Sequence, residues 1–187
     1  MVAMTHEVIG LPRGRSLTRD DLDLMPDDGH RFELIDGLLI VGPAPRHAHQ
    51  QASGNLHLAL REHCPADLQV FFAPFDVVLG DDTVLQPDLL VARRSDFTER
   101  DLPVAPILAI EVLSPSTRAY DLLLKKDRLQ RAGCQHYWVV DTHIPAVTAW
   151  TLREGAYVEI ATVSGDQQLA VTEPFEISLT PSRLISR

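Results

Sequence analysis

The chain has 187 residues, 45% of them hydrophobic and 23% charged, with a formal net charge of −9. That length suits one domain with a real core, and the composition is that of a soluble globular protein. It excludes a membrane helix, since no apolar run approaches ~20 residues, and it argues against a generally basic, phosphate-binding surface.

Residues 1–15 read as a flexible lead-in to a single domain over 16–187. The stretch MVAMTHEVIGLPRGR lacks the basic start and apolar core of a signal peptide. Two cysteines, Cys64 and Cys134, do not make a disulfide framework, so a reduced, cytoplasmic protein is expected. Thr18 suits an N-cap, with acids behind it, and a short helix is expected to end at Pro26 and Gly29. In RFELIDGLLIVGP, Asp36-Gly37 between apolar runs signals a hairpin with strands at about 31–35 and 38–42.

Residues 46–63 space Ala52, Leu56, Ala59 and Leu60 as one helical face, closed by Cys64-Pro65. LQVFFAPFDVVLG, a GDDT turn and VLQPDLLVAR read as strands, the last two forming a hairpin. The polar stretch Ser95 to Pro106 reads as a loop. ILAIEVL is a buried strand, followed by a helix of about 118–132 capped by Ser116 or Thr117 and ended by Gly133. HYWVVD then returns parallel to ILAIEVL through a right-handed crossover. Weaker strands follow near 146–152 and 156–163, with one more near the end. The expected fold class is α/β (α+β): a mixed sheet carrying the helices of 46–63 and 118–132, with a β-hairpin near the N-terminus.

Two acids stand out. Asp88 follows Pro87 inside VLQPDLLVA, where a proline marks an edge or a bulge. Glu111 interrupts the apolar run ILAIEVL, and a buried carboxylate is costly unless paired. Neighbouring strands can bring the two together, and at ~4 Å with an effective dielectric of ~20 they would repel by ~4 kcal/mol. A proton on one of them, or a hard divalent cation with oxygen ligands, relieves that repulsion. The chain's only two lysines are the neighbours Lys125 and Lys126. Lys125 lies i,i+4 from Asp121, fourteen residues beyond Glu111, which leaves room for a turn and two helical turns leading back along the sheet. A lysine beside a bound metal can orient a water or stabilise developing negative charge.

Pro87-Asp88, then Glu111, then a lysine resembles the PD-(D/E)XK nuclease superfamily, and most closely its Uma-two branch of restriction-endonuclease-like proteins. The stretches that carry the likeness are RFELIDGLLI (31–40), PAPRHAHQ (43–50), QPDLLV (86–91), IEVLSPSTRAYDLLLKK (110–126) and RAGCQHYWVVD (131–141). The resemblance implies a central mixed sheet flanked by helices and a metal-dependent endonuclease acting on DNA, with RNA as the alternative. It implies Mg²⁺ or Mn²⁺ held by Asp88 and Glu111, a reactive lysine at Lys125, an acidic contribution from Glu33, and a homodimer that cuts both strands. Asp121, Lys126 and His49 are supporting candidates. The chain departs from the family pattern in lacking a lysine two residues after Glu111, where Leu113 stands, and in showing Gln135-His136 where Pro-Glu is usual.

Each candidate has a plainer reading. Glu33 alternates with Phe32 and Leu34 and suits a solvent-facing strand position. Asp121 suits a helix-start acid that holds Lys125. Ser114, Ser116 and Thr117 lack a G-x-S-x-G elbow and suit capping rather than nucleophilic attack. His47, His49, His57 and His63 lack H-E-x-x-H spacing for zinc. The acidic net charge leaves a rival of a different class: a non-cleaving binding or assembly module that keeps the fold.

Overall fold

The computed structural model describes residues 12, 14–115 and 117–186. The expected lead-in of 1–15 lies mostly outside the described residues, as does Ser116. Helix α1 (Arg19–Leu22) leads into strands β1 (Arg31–Ile35) and β2 (Leu38–Gly42), which pair antiparallel as expected. Asp36 and Gly37 take φ of +48° and +77°. A two-residue turn requires this left-handed backbone, and Asp and Gly tolerate it best.

Helix α2 (His47–His63) buries Ala52, Leu56 and Leu60, one per turn, against the sheet that holds β8. Strands β3 (Leu68–Phe72), β4 (Asp76–Gly80), β5 (Thr83–Leu85), β6 (Leu89–Arg93), β7 (Asp101–Leu102) and β8 (Leu108–Leu113) follow. A π-helical segment, Tyr120–Lys125, runs into α3 (Lys126–Arg131) and then into β9 (His136–Asp141). The chain closes with β10 (Ala146–Arg153), β11 (Ala156–Ser164), β12 (Leu169–Val171), β13 (Ile177–Leu179) and α4 (Pro181–Ile185).

The strands sort into a five-stranded sheet, β2-β1-β5-β4-β7, a six-stranded sheet, β11-β10-β9-β8-β6-β3, and the small pair β12-β13. The six-stranded sheet is mixed, with β8 and β9 parallel across the helical crossover. This is an α+β architecture of mixed sheets with few helices. It corrects three local expectations. The single mixed sheet is two larger sheets. VLQPDLLVAR is not one strand: β5 pairs with β4 and β1, the chain leaves the ladder at Gln86-Pro87, and β6 joins the other sheet. The Ser95–Pro106 stretch holds β7, paired parallel to β4. The helix starts at residue 118, directly after Thr117 as expected, and Ser114 closes the preceding turn: its hydroxyl accepts the Thr117 amide at 3.2 Å and its carbonyl accepts the Arg118 amide at 3.0 Å.

Strand β8 is buried on both faces, so its alternation sorts residues between two cores. Leu108, Ile110 and Val112 join the core shared with α2; Ala109 and Leu113 join a second core with Ile35, Leu85, Leu129 and Tyr137. Each fully buried aliphatic side chain adds about 1.5–3 kcal/mol. Glu111 shares the parity of Ala109 and Leu113, so it points into the second core, where the hairpin and the crossover helix converge. Among the described residues no helix is long and apolar enough to cross a membrane.

Candidate active site

Glu111 is fully buried, and the second core brings it a cation. Lys125 Nζ lies 3.1 Å from Glu111 Oε1, 2.9 Å from Glu33 Oε2 and 3.6 Å from Asp121 Oδ1. The lysine side chain is 1% exposed. It is delivered by the π-helical segment, which carries both Asp121 and Lys125. Tyr137, on the strand parallel to β8, donates its hydroxyl to the Asp121 carbonyl at 2.7 Å and fixes that turn from below.

Asp88 sits where the chain has just left β5 and is about to enter β6. Its Oδ2 accepts the Val112 amide at 2.8 Å, so the carboxylate is stapled to β8 beside Glu111. The same oxygen lies 3.0 Å from His49 Nε2, and Oδ1 accepts from Arg31 Nη1 at 2.8 Å. Arg31 Nε lies 3.7 Å from Glu33 Oε2. Glu33 completes the link by accepting the Gln86 amide at 2.7 Å through Oε1.

Four acids therefore share two permanent cations, and their environments divide them. Burial would raise the Asp88 pKa, but the His49 hydrogen bond and the charges of Arg31 and Lys125 outweigh it and hold the carboxyl well below its ordinary range. Glu111 goes the other way: burial dominates, the neighbouring carboxylates add to it, and its pKa stands well above the ordinary value despite Lys125. Asp121 is likewise raised, chiefly by burial. Burial would lower the Lys125 pKa, yet the carboxylates around it raise it, so the lysine stays charged. The two raised acids are also the two with an oxygen lacking a hydrogen-bond partner, Glu111 Oε2 and Asp121 Oδ1. Both observations mark the same deficit of positive charge on the inner side of the cluster.

An open cleft of about 1060 Å³ reaches the cluster from outside. Asp88, His49 and Arg31 line it, with Arg46 and Thr117, whereas Lys125, Glu111, Glu33 and Asp121 lie behind its wall. The structure thus gathers Glu33, Asp88, Glu111, Asp121, Lys125 and His49 into one network. It leaves Lys126 outside: that ammonium sits 3.7 Å above the Trp150 ring, a cation–π contact on a different side of the helix. Among the described residues no three His, Cys, Asp or Glu side chains converge as a ligand set. Arg31 is the member that sequence reasoning missed. Its signal was there in RFELI, because residues i and i+2 of a strand share a face and Glu33 was already a candidate.

A family model, Uma2, described as "Putative restriction endonuclease", matches residues 19–182. Among solved structures, the chain is similar to a "putative nuclease belonging to DUF820" from Anabaena variabilis ATCC 29413, with a TM-score of 0.71 over 90% of this chain and 97% of that one. The two are 20% identical, a likeness that speaks to fold. No curated protein matches the chain.

Proposed function

The chain belongs to the Uma2 family of restriction-endonuclease-like proteins, and from that premise we propose that it is a metal-dependent nuclease hydrolysing phosphodiester bonds of DNA. The observation that carries this reading is the stapling of Asp88 to β8 beside Glu111, at the floor of an open cleft. The donor chemistry suits Mg²⁺ or Mn²⁺: two carboxylates, hard oxygen ligands, with Glu111 Oε2 unpartnered in a place short of positive charge. When bound there, such an ion would polarise the phosphate and activate water.

The chain's own residues do the rest. Asp88 remains ionised and is held in register by the Val112 amide and His49. Lys125 sits behind the acids, where it fixes the orientation of Glu111 and Glu33 and lends positive charge to the floor of the site. Asp121 holds the lysine from its own helix. The wall of the cleft includes the start of α2, whose first turn carries no acid, so its free amides and dipole favour an anion there. A homodimer acting on duplex DNA in the cytoplasm completes the proposal, and sedimentation of the purified chain tests the pairing.

The experiment is plasmid nicking with Mg²⁺ or Mn²⁺, comparing the wild type with Asp88→Ala and Glu111→Ala. Loss of nicking in both variants is expected; equal residual activity in all three would point to contamination and remove the claim. A second reading is a non-cleaving module in which the cluster is a structural ion-pair network. It is favoured by the hydrogen-bonded ion pairs that Arg31 makes with Asp88 and Lys125 with Glu111. Calorimetric Mn²⁺ titration separates the two, because a structural network would bind no more ion than the double alanine variant.

A further inference from the structure

Arg31 holds a position that the nuclease reading leaves unexplained. Of the two cations in the cluster, Lys125 is sealed at 1% side-chain exposure, while Arg31 is 22% exposed and lines the cleft. Its guanidinium occupies Asp88 Oδ1, while Asp88 Oδ2 is committed to the Val112 amide and His49. Oδ1 is thus the oxygen that Asp88 could offer to a metal, and Arg31 holds it. A guanidinium stays protonated at any working pH, so the charge of Arg31 is permanent.

We propose that Arg31 is an exchangeable counter-cation, which a divalent ion displaces from Asp88 and which then grips a substrate phosphate in the cleft. The proposal rests on the nuclease reading of the same site. Arg31 offsets the charge of Asp88 and, at 3.7 Å, of Glu33. An arriving divalent cation takes over that task and repels the guanidinium. The planar fork of arginine matches a phosphate as well as a carboxylate, and the cleft is the direction in which the side chain is open. Metal and nucleic acid are therefore coupled: the ion frees the residue that binds the phosphate.

This coupling predicts effects of opposite sign from one substitution. Arg31→Gln removes the competitor for Asp88 and should bind Mn²⁺ about tenfold more tightly than wild type by calorimetry, an effect of roughly 1.4 kcal/mol. The same variant should bind a fluorescent DNA duplex about tenfold more weakly by anisotropy in Ca²⁺, with the duplex recovered intact on a gel. Arg31→Lys keeps the charge but loses the fork, so it should bind metal more tightly than wild type and still bind DNA more weakly. Circular dichroism melts identify which variants are folded, and Arg31→Lys carries the test if Arg31→Gln is not. A folded variant that binds Mn²⁺ no more tightly than wild type overturns the proposal, as does undiminished DNA binding. If wild type binds Mn²⁺ in an Asp88-dependent manner and the Arg31 variants do not tighten it, only the role of Arg31 falls. If wild type and Asp88→Ala bind Mn²⁺ equally weakly, the metal site itself falls.

Discussion

The β1–β2 hairpin meets the crossover helix twice, and the two contacts use the same chemistry in different surroundings. Inside, Glu33 pairs with Lys125 at 2.9 Å, with both side chains at 3% exposure or less. Outside, at the hairpin tip, Asp36 pairs with Arg131 at 2.5 Å and with Arg128 at 3.1 Å, with Asp36 and Arg131 each 48% exposed. The inner contact is out of reach of water, beside Glu111 and Asp121, whose pKa values burial raises and which each keep an oxygen without a hydrogen-bond partner. The outer contact is solvated, and Asp36 is simply held below its ordinary value, chiefly by the Arg131 hydrogen bond. The inner pair therefore sets the chemistry of the candidate site, and the outer pair sets where the hairpin tip rests.

The largest expected effect comes from removing the inner cation. Lys125→Met keeps the side-chain volume and strands Glu33, Glu111 and Asp121 without their shared partner. Breaking a buried pair in this way costs about 3–5 kcal/mol, read as a lowered midpoint in urea denaturation, and nicking activity should go with it. A cost below about 1 kcal/mol, the range of surface pairs, would mean that water reaches the lysine and that the two contacts do not differ in kind.

A smaller effect isolates Glu111. Its pKa is higher in the folded chain than its ordinary 4.5, so above that pH the folded state holds a proton that the unfolded state has released. Stability therefore falls as pH rises from the ordinary glutamate range toward the raised folded value. Asp88 has the opposite sign: its lowered pKa contributes stability that is present above 3.8 and is lost as pH falls toward the folded value. Glu111→Gln keeps the shape and removes the titration. Its stability, measured by urea denaturation across a pH series, should decline less steeply above pH 4.5 than that of the wild type. Identical slopes would show that Glu111 ionises freely in the folded chain.

How far the sequence foretells this arrangement depends on the range of the interactions involved. Asp36-Gly37 announces the hairpin because its backbone demands those residue types locally. The α2 face is legible because its apolar residues recur once per turn. Asp88, Glu111 and Lys125 were legible as candidates through the family resemblance and the cost of a carboxylate in an apolar strand. What was not legible is decided at long range. The split of VLQPDLLVAR into two strands on different sheets depends on which partners each half finds. The π-helical segment carries a contact of the same kind, the hydrogen bond from Tyr137, sixteen residues away in sequence, to the Asp121 carbonyl. The choice between Lys125 and Lys126 is a matter of helix rotation: one enters the acid cluster and the other lies over Trp150. Arg31 drew no reading of its own because its partner, Asp88, is fifty-seven residues further on.

The smallest expected effect tests the outer half of the comparison. Arg131→Ala removes one of the two arginines from Asp36 and also the i,i+4 partner of Asp127. Both losses are solvated, and Arg128 still holds Asp36 and donates to the Leu79 carbonyl and the Thr83 hydroxyl. The cost should therefore be about 0–1 kcal/mol, and it should shrink further in high salt, because an exposed pair is screened whereas a buried one is not. Lys125→Met should show no such salt dependence. If Arg131→Ala instead cost as much as the lysine variant, or remained unchanged in high salt, the hairpin tip would be an electrostatic anchor equal to the cluster. The depth of burial would then no longer explain why one contact of this hairpin adjoins acids whose pKa values are raised while the other holds an acid whose pKa is lowered.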